Sequence, residues 1–283
     1  MRQTGGMTTR RSLVRSVAFA CAVAAVIAPL ARGVDAVAPV RAITLTRIDA
    51  PVAAAMPADR LSFVPPHVIE DRVIGHSVEG RPIIASRMGT PGGRVVLLIG
   101  MIHGDETKGS LITQLLRSMP TPVGIDLWLI DTMNPDGFAA GTRGNANGVD
   151  LNRNFETNWS YIPPSPAHRQ YSGENPVDQP ETQAVEEFIR EIQPMVGLWY
   201  HQDANTISLG GARKEIPTAY GLLVGLEPGT VPCSQLCTGT AGTFANKAVP
   251  GSTNFLVELP GSDQVDAAMI RRHAEAVLKV AQL

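Results

Sequence analysis

From His67 onward the chain alternates short apolar runs with stretches of helical spacing, and this alternation restricts the fold more than any other feature. Arg81–Arg87 and Arg94–Met101 read as strands joined by a hairpin-like turn, Gly89-Thr90-Pro91-Gly92-Gly93. Thr107–Met119 has helical spacing, with Leu111, Ile112, Leu115 and Leu116 on one side. Ile125–Asp131 reads as a strand, Met133–Pro180 as a long loop of Asn, Gly and Pro, Glu181–Ile192 as an amphipathic helix and Met195–Tyr200 as a strand. Tyr220–Val224 and Asn254–Glu258 are predicted to be short strands, and Asp263–Gln282 a closing helix started by Gly261-Ser262. This order predicts an α/β fold, a three-layer sandwich of helices around a mixed, mostly parallel twisted sheet. Ligands of such folds gather beyond the carboxyl ends of the strands.

Four polar clusters fall at those ends. His103-Gly104-Asp105-Glu106 follows the strand 94–101, and an imidazole and a carboxylate three residues apart can converge on one metal. Asn134-Pro135-Asp136-Gly137, Arg143 and Val149-Asp150-Leu151-Asn152-Arg153-Asn154 follow the strand 125–131. His201-Gln202-Asp203 follows the strand 195–200, and Glu258 ends the strand 254–258. Taken singly, each has an ordinary explanation: a solvated helix start, a turn, a loop arginine, a carboxylate reaching water. Taken together on one rim, His103, Glu106 and His201 supply three zinc ligands and leave a fourth position for water, the arrangement of a catalytic site. Glu258 is then the candidate base for that water, and Arg143 the candidate stabiliser of an oxyanion. Asn152 and Arg153 are the candidates to hold a substrate carboxylate.

This ordered set resembles the zinc carboxypeptidase family, from about His67 to the C-terminus, and within it most resembles the bacterial murein tripeptide amidase branch. Gly75-His76-Ser77-Val78-Glu79-Gly80-Arg81-Pro82-Ile83 is similar to the family's opening strand. The resemblance implies one zinc ion per chain on His103, Glu106 and His201, with Glu258 as general base and proton shuttle. It implies that Arg143 polarises the scissile carbonyl and that Asn152 and Arg153 hold the terminal carboxylate. The branch cuts the γ-D-glutamyl–diaminopimelate bond of peptidoglycan peptides, which makes a wall-derived peptide the expected substrate. Two departures concern the substrate. Digestive-type members carry a mobile tyrosine about twenty residues before the catalytic Glu, whereas Gly239–Leu256 contains none. Asp203 stands where the amidase branch has proline. The segment Ala241–Lys247 reads as a solvated loop, in which Asn246 or Lys247 could meet an acidic or zwitterionic side chain.

The N-terminus carries Arg2, Arg10, Arg11 and Arg15 and no acid before the apolar run Val17–Leu30. That is a signal peptide over residues 1–38, with a twin-arginine look at Arg10-Arg11. Its apolar run is shorter than the ~20 residues a membrane span needs, so no stable anchor is expected after cleavage. Residues 39–66 form an Ala- and Pro-rich linker or lead-in strand, and residues 67–283 the catalytic domain. Removing 1–38 leaves 19 basic and 25 acidic residues, a net charge of −6 against −2 for the whole chain. That balance offers no footprint for nucleic acid. Cys21 leaves with the signal, and Cys233 and Cys237 remain as a candidate disulfide in an exported protein. Two rival functions remain: a zinc N-acyl amino acid deacylase of the desuccinylase type, and a non-catalytic wall-binding module on the same fold. The Asn-Pro-Asp-Gly and Val-Asp-Leu-Asn-Arg-Asn strings favour the peptidase.

Overall fold

The computed structural model describes residues 63–167, 169–229 and 237–283. The expected signal segment, the lead-in as far as residue 62 and Cys233 lie outside the described residues. In chain order the strands are β1 (Phe63–Val64), β2 (Val68–His76), β3 (Pro82–Gly89), β4 (Arg94–Ile99), β5 (Thr121–Pro122), β6 (Ile125–Ile130), β7 (Val196–Gln202), β8 (Thr206–Ile207) and β9 (Thr253–Leu259). The helices are α1 (Lys108–Leu116), α2 (Pro135–Ala140), α3 (Pro180–Ile192), α4 (Glu215–Val224), α5 (Ala241–Ala248) and α6 (Ala267–Val280). Seven strands form one sheet in the order β2-β3-β6-β4-β7-β9-β8. Its centre, β6-β4-β7-β9, is parallel throughout, and β3 and β8 pair antiparallel to their central neighbours.

Central strands covered on both faces must be apolar at consecutive positions, and β4 is: Val96 and Leu98 enter one core, Leu97 and Ile99 the other. The first core joins the sheet to α1, α4 and α6 through Ile112, Leu116, Tyr220 and Val277. The second joins it to α3 and α5 through Val185, Phe188 and Phe244. The expected three-layer sandwich is therefore the observed one.

Five local expectations are corrected. β3 and β4 do not pair as a hairpin, because β6 lies between them. The turn connecting them is spread wide enough for β6 to begin there: Thr90 N–H donates to Ile125 O at 2.7 Å and Arg94 N–H to Gly124 O at 2.7 Å. Tyr220–Val224 is the end of α4, not a strand. Ile216, Tyr220 and Val224 recur at helical spacing on a buried face, while Leu222 is 81% exposed. The long loop contains α2 and a 3-10 turn at Leu151–Arg153. Ala241–Ala248 is a helix, not a loop, since Phe244 and Ala245 anchor it in the second core. The closing helix begins at Ala267, where the Asp266 carboxylate accepts the Met269 N–H at 2.7 Å.

Behind the sheet, Tyr200 and Tyr220 hydroxyls lie 2.8 Å apart, and the Tyr220 hydroxyl lies 2.7 Å from His273 Nδ1. Burial, helped by Arg272, pushes the His273 pKa down to about 4. Above pH ~6.5 the imidazole is neutral in folded and unfolded chains alike, and its contribution to stability is complete. Below that value the unfolded chain binds a proton that the folded chain takes up only near pH 4, so stability falls across this window. His273→Asn keeps an acceptor for Tyr220 and removes the titration. The stability lost between pH 7 and pH 4, measured by urea unfolding, is expected to shrink by about 3 kcal/mol in this variant.

Candidate metal centre and active-site cleft

The parallel centre of the sheet delivers its carboxyl ends to one rim. β4 leads into His103 and Glu106, β7 carries His201, and β9 carries Glu258 in register with His201. The β4–α1 turn is tight: a Cβ on Gly104 would fall 2.0 Å from the Gly137 carbonyl carbon, so α2 packs directly on it. Glu106 N–H donates to His103 O at 3.2 Å, which turns both side chains inward.

His103 Nδ1, His201 Nδ1 and the Glu106 carboxylate meet in a buried cluster. His103 Nδ1 is 2.9 Å from Glu106 Oε1, His201 Nδ1 is 3.0 Å from Glu106 Oε2, and the two imidazole nitrogens are 3.1 Å apart. Donor atoms ~2.0–2.1 Å from a tetrahedral zinc ion stand ~3.3 Å apart, so this triangle fits one ion with a small expansion. The remaining ring nitrogen of His103, Nε2, faces Asp150 Oδ1 at 2.9 Å. A proton on Nε2 bonded to that carboxylate leaves the Nδ1 lone pair for a metal. His103, Glu106 and His201 are also the group of the described residues whose donor atoms lie close enough to share an ion.

Asp150, fully buried, was quoted in the sequence motif without a role, and the structure gives it three. Its Oδ1 also caps the Leu151–Arg153 turn by accepting the Asn152 N–H at 2.9 Å, and its Oδ2 accepts from Arg143 Nε at 3.0 Å. Burial opposes its charge, but His103 and Arg143 overcome that and hold its carboxyl well below the usual range. Glu106 behaves alike: burial raises its pKa, and His103 and His201 outweigh burial and depress it. The His103 pKa is raised, burial working against Glu106 and Asp150 and losing to them. Arg143 is held between Asp150 and Glu106, its Nη1 2.9 Å from Glu106 Oε1.

The cluster opens into a cleft of about 560 Å³ that Arg143, Asn152, Arg153 and Glu258 also line. Asn152 Oδ1 accepts the Ala241 N–H at the start of α5 (3.0 Å), which turns its Nδ2 donor toward the cleft and His201. Arg153 is buried, with Nη1 on Asn152 O at 2.7 Å; burial lowers its pKa, and Asp150 counters this. Glu258 Oε2 accepts from Ala204 N–H at 3.4 Å, and burial, then Glu106, raises its pKa. All seven candidate residues thus share one cleft. Cys237 lines it too and is disulfide-bonded. Gln202, given no role by its place in the His201-Gln202-Asp203 cluster, is a clamp: its Oε1 accepts the Lys108 N–H at 3.0 Å while Nε2 donates to Pro260 O at 3.1 Å, tying α1 to the end of β9. No local motif marks such a clamp.

The zinc carboxypeptidase family profile matches residues 58–218, a span that holds all the candidates except Glu258. Murein peptide amidase A of Escherichia coli K12 is 34% identical over 137 residues, covering 45% of this chain and 57% of that protein. The chain thus spans little more than half the length of this relative. The crystal structure of the murein-tripeptide amidase of Escherichia coli O157 superposes with a TM-score of 0.60 at 25% identity, covering 80% of this chain and 96% of that one. Carboxypeptidase A of Helicoverpa armigera shares the fold, with a TM-score of 0.62 at 20% identity over 77% of this chain and 68% of its own.

Asp150→Asn removes the charge that orients His103 and neutralises Arg143. Zinc affinity, measured by competition with a chromogenic chelator, is expected to fall 10–100-fold. Unfolding of the metal-free chain is expected to show a loss of about 3 kcal/mol, since Arg143 loses a buried partner.

Proposed function

Because the chain belongs to the zinc carboxypeptidase family, we propose that it is a metallocarboxypeptidase that hydrolyses a peptide amide next to a residue with a free carboxylate. One observation carries this reading: the metal donors, the buried Glu258 carboxylate and the side chains of Asn152 and Arg153 line a single cleft. Held by His103, Glu106 and His201, zinc supplies Lewis acidity toward the substrate carbonyl and a lowered pKa for water. Glu258 accepts the proton of the attacking water and delivers it to the leaving amine. Its raised pKa suits both halves of that transfer. Arg143, fixed by Asp150 and Glu106, stabilises the charge that develops on the carbonyl oxygen. Asn152 Nδ2 and the Arg153 guanidinium bind the terminal carboxylate and set the scissile bond against Glu258.

The substrate we favour is a murein peptide cut at its γ-D-glutamyl–diaminopimelate bond. The similarity to murein peptide amidase A supports it, as does the basic and apolar N-terminus, which suits export to the cell wall. In this arrangement residues 1–38 are removed as a signal and residues 67–283 form the catalytic domain. No helix among the described residues is long and apolar enough to cross a membrane.

Glu258→Gln is expected to lower kcat on a muropeptide by 10²–10⁴-fold while zinc content stays at one per chain, as read by mass spectrometry of products and by metal analysis. Equal turnover by the variant would refute the role of Glu258. Fractionation of the producing cell, with N-terminal sequencing, is expected to find an exported chain lacking its first 33 to 38 residues.

A further inference from the structure

Where the side chain of the leaving residue goes follows from strand alternation. Phe255, Val257 and Leu259 of β9 point into the first core, whereas Asn254, Leu256 and Glu258 line the cleft on the other face. The cleft therefore runs down β9 from Glu258 for four residues, about 13 Å at ~3.3 Å per residue. Its charged groups belong to the strand-end rim: Arg143, Arg153 and Glu258 lie around the metal donors, Asp203 follows His201 directly, and Arg169 is paired with Asp105 in the β4–α1 turn. At the far end the described lining residues are neutral, among them Ser208, Gly210, Asn246, Asn254, Phe255 and Leu256. Lys247 is exposed and does not line the cleft.

The neutral end is built, not incidental. The Asn246 carboxamide docks on the backbone of β9: its Oδ1 accepts the Asn254 N–H at 2.8 Å and its Nδ2 donates to Asn254 O at 2.8 Å. Ser208 Oγ accepts the Leu256 N–H at 2.9 Å, and Ser208 N–H donates to Leu256 O at 3.0 Å. A carboxamide has two N–H donors and a hydroxyl has one O–H. Among the described residues, one Asn246 N–H and the Ser208 O–H are thus left uncommitted at the cleft floor, and Asn254 Oδ1, packed against Gly197, is a buried acceptor without a partner. Two neutral donors, with no acid beside them, leave a buried ammonium or guanidinium uncompensated. They leave an aromatic side chain over unsatisfied polar groups.

We propose that this floor selects a leaving residue whose side chain ends in an oxygen acceptor, a carboxylate or carboxamide, received by Asn246 Nδ2 and Ser208 Oγ. The proposal rests on the peptidase reading above. It is tested with the zinc-loaded full chain, a muropeptide and five acyl-γ-D-glutamyl peptides that differ only in a C-terminal Gln, Glu, Lys, Phe or Leu. The Gln and Glu peptides are expected to exceed Lys and Phe in kcat/KM by about tenfold or more. Asn246→Asp replaces the donor by a carboxylate and should raise the Lys-to-Glu ratio of kcat/KM about 100-fold, a reversal that loosened structure would not produce. Ser208→Ala, a second route should that variant misfold, should lower kcat/KM about fivefold more on Gln and Glu than on Leu. Preference of the wild type for Lys or Phe, or an unmoved ratio in Asn246→Asp, would overturn the floor assignment and leave the peptidase reading intact. Cleavage of none of the five while a muropeptide is still cut would overturn the floor assignment alone, and a muropeptide left uncut as well would overturn both.

Discussion

The buried carboxylate of Asp150 is the constraint on which the site depends. One side chain with no contact to water receives His103 Nε2, Arg143 Nε and the Asn152 N–H. Through the first it sets the tautomer that turns Nδ1 toward a metal. Through the second it fixes the Arg143 guanidinium at the cleft, and through the third it shapes the turn that presents Asn152 and Arg153. An ion so deeply buried is tolerable only because its partners are charged or well-aligned donors. In the proposed reaction, metal binding, carbonyl polarisation and carboxylate capture would thus be coupled through one residue that itself touches no substrate.

The sheet makes the rest of the arrangement possible. Parallel strands β4, β7 and β9 end together, so ligands separated by nearly a hundred residues in sequence meet within hydrogen-bond distance. Opposed charges then hold the cluster together: Glu106 and Asp150 against His103, Arg143 and Arg153. A divalent ion fits within that balance, and Glu258 stays outside the ligand triangle, at the position in β9 opposite His201. The alternation of β9 gives the cleft its two ends, a charged rim around the metal donors and a neutral floor to which the proposal above assigns selection.

Much of this was legible in the sequence because its signals are local. Apolar runs of three to seven residues announced the central strands, and polar clusters directly after them announced the rim. His103 and Glu106 sit in one short turn, so their convergence needed no knowledge of the fold. What sequence did not disclose is non-local. The insertion of β6 between β3 and β4 depends on long-range pairing that no turn motif encodes. Helix α5 contains Gly242, Thr243 and Asn246, poor helix formers, and owes its existence to Phe244 and Ala245 in the core and to Asn152 on its first N–H. The role of Asp150 was hidden because its partner His103 lies 47 residues away. Tyr220 deceived because an apolar run of five fits a strand as well as a helix end.

The central claim, that three side chains hold one zinc ion with a position left open, is tested most directly by a crystal structure of the zinc-loaded chain with anomalous data at the zinc edge. The account predicts a single peak bonded to His103 Nδ1, a Glu106 carboxylate oxygen and His201 Nδ1, at ~2.0–2.2 Å each, with the remaining position facing Glu258 across the cleft. A peak elsewhere, or four protein ligands closing the coordination sphere, would contradict it.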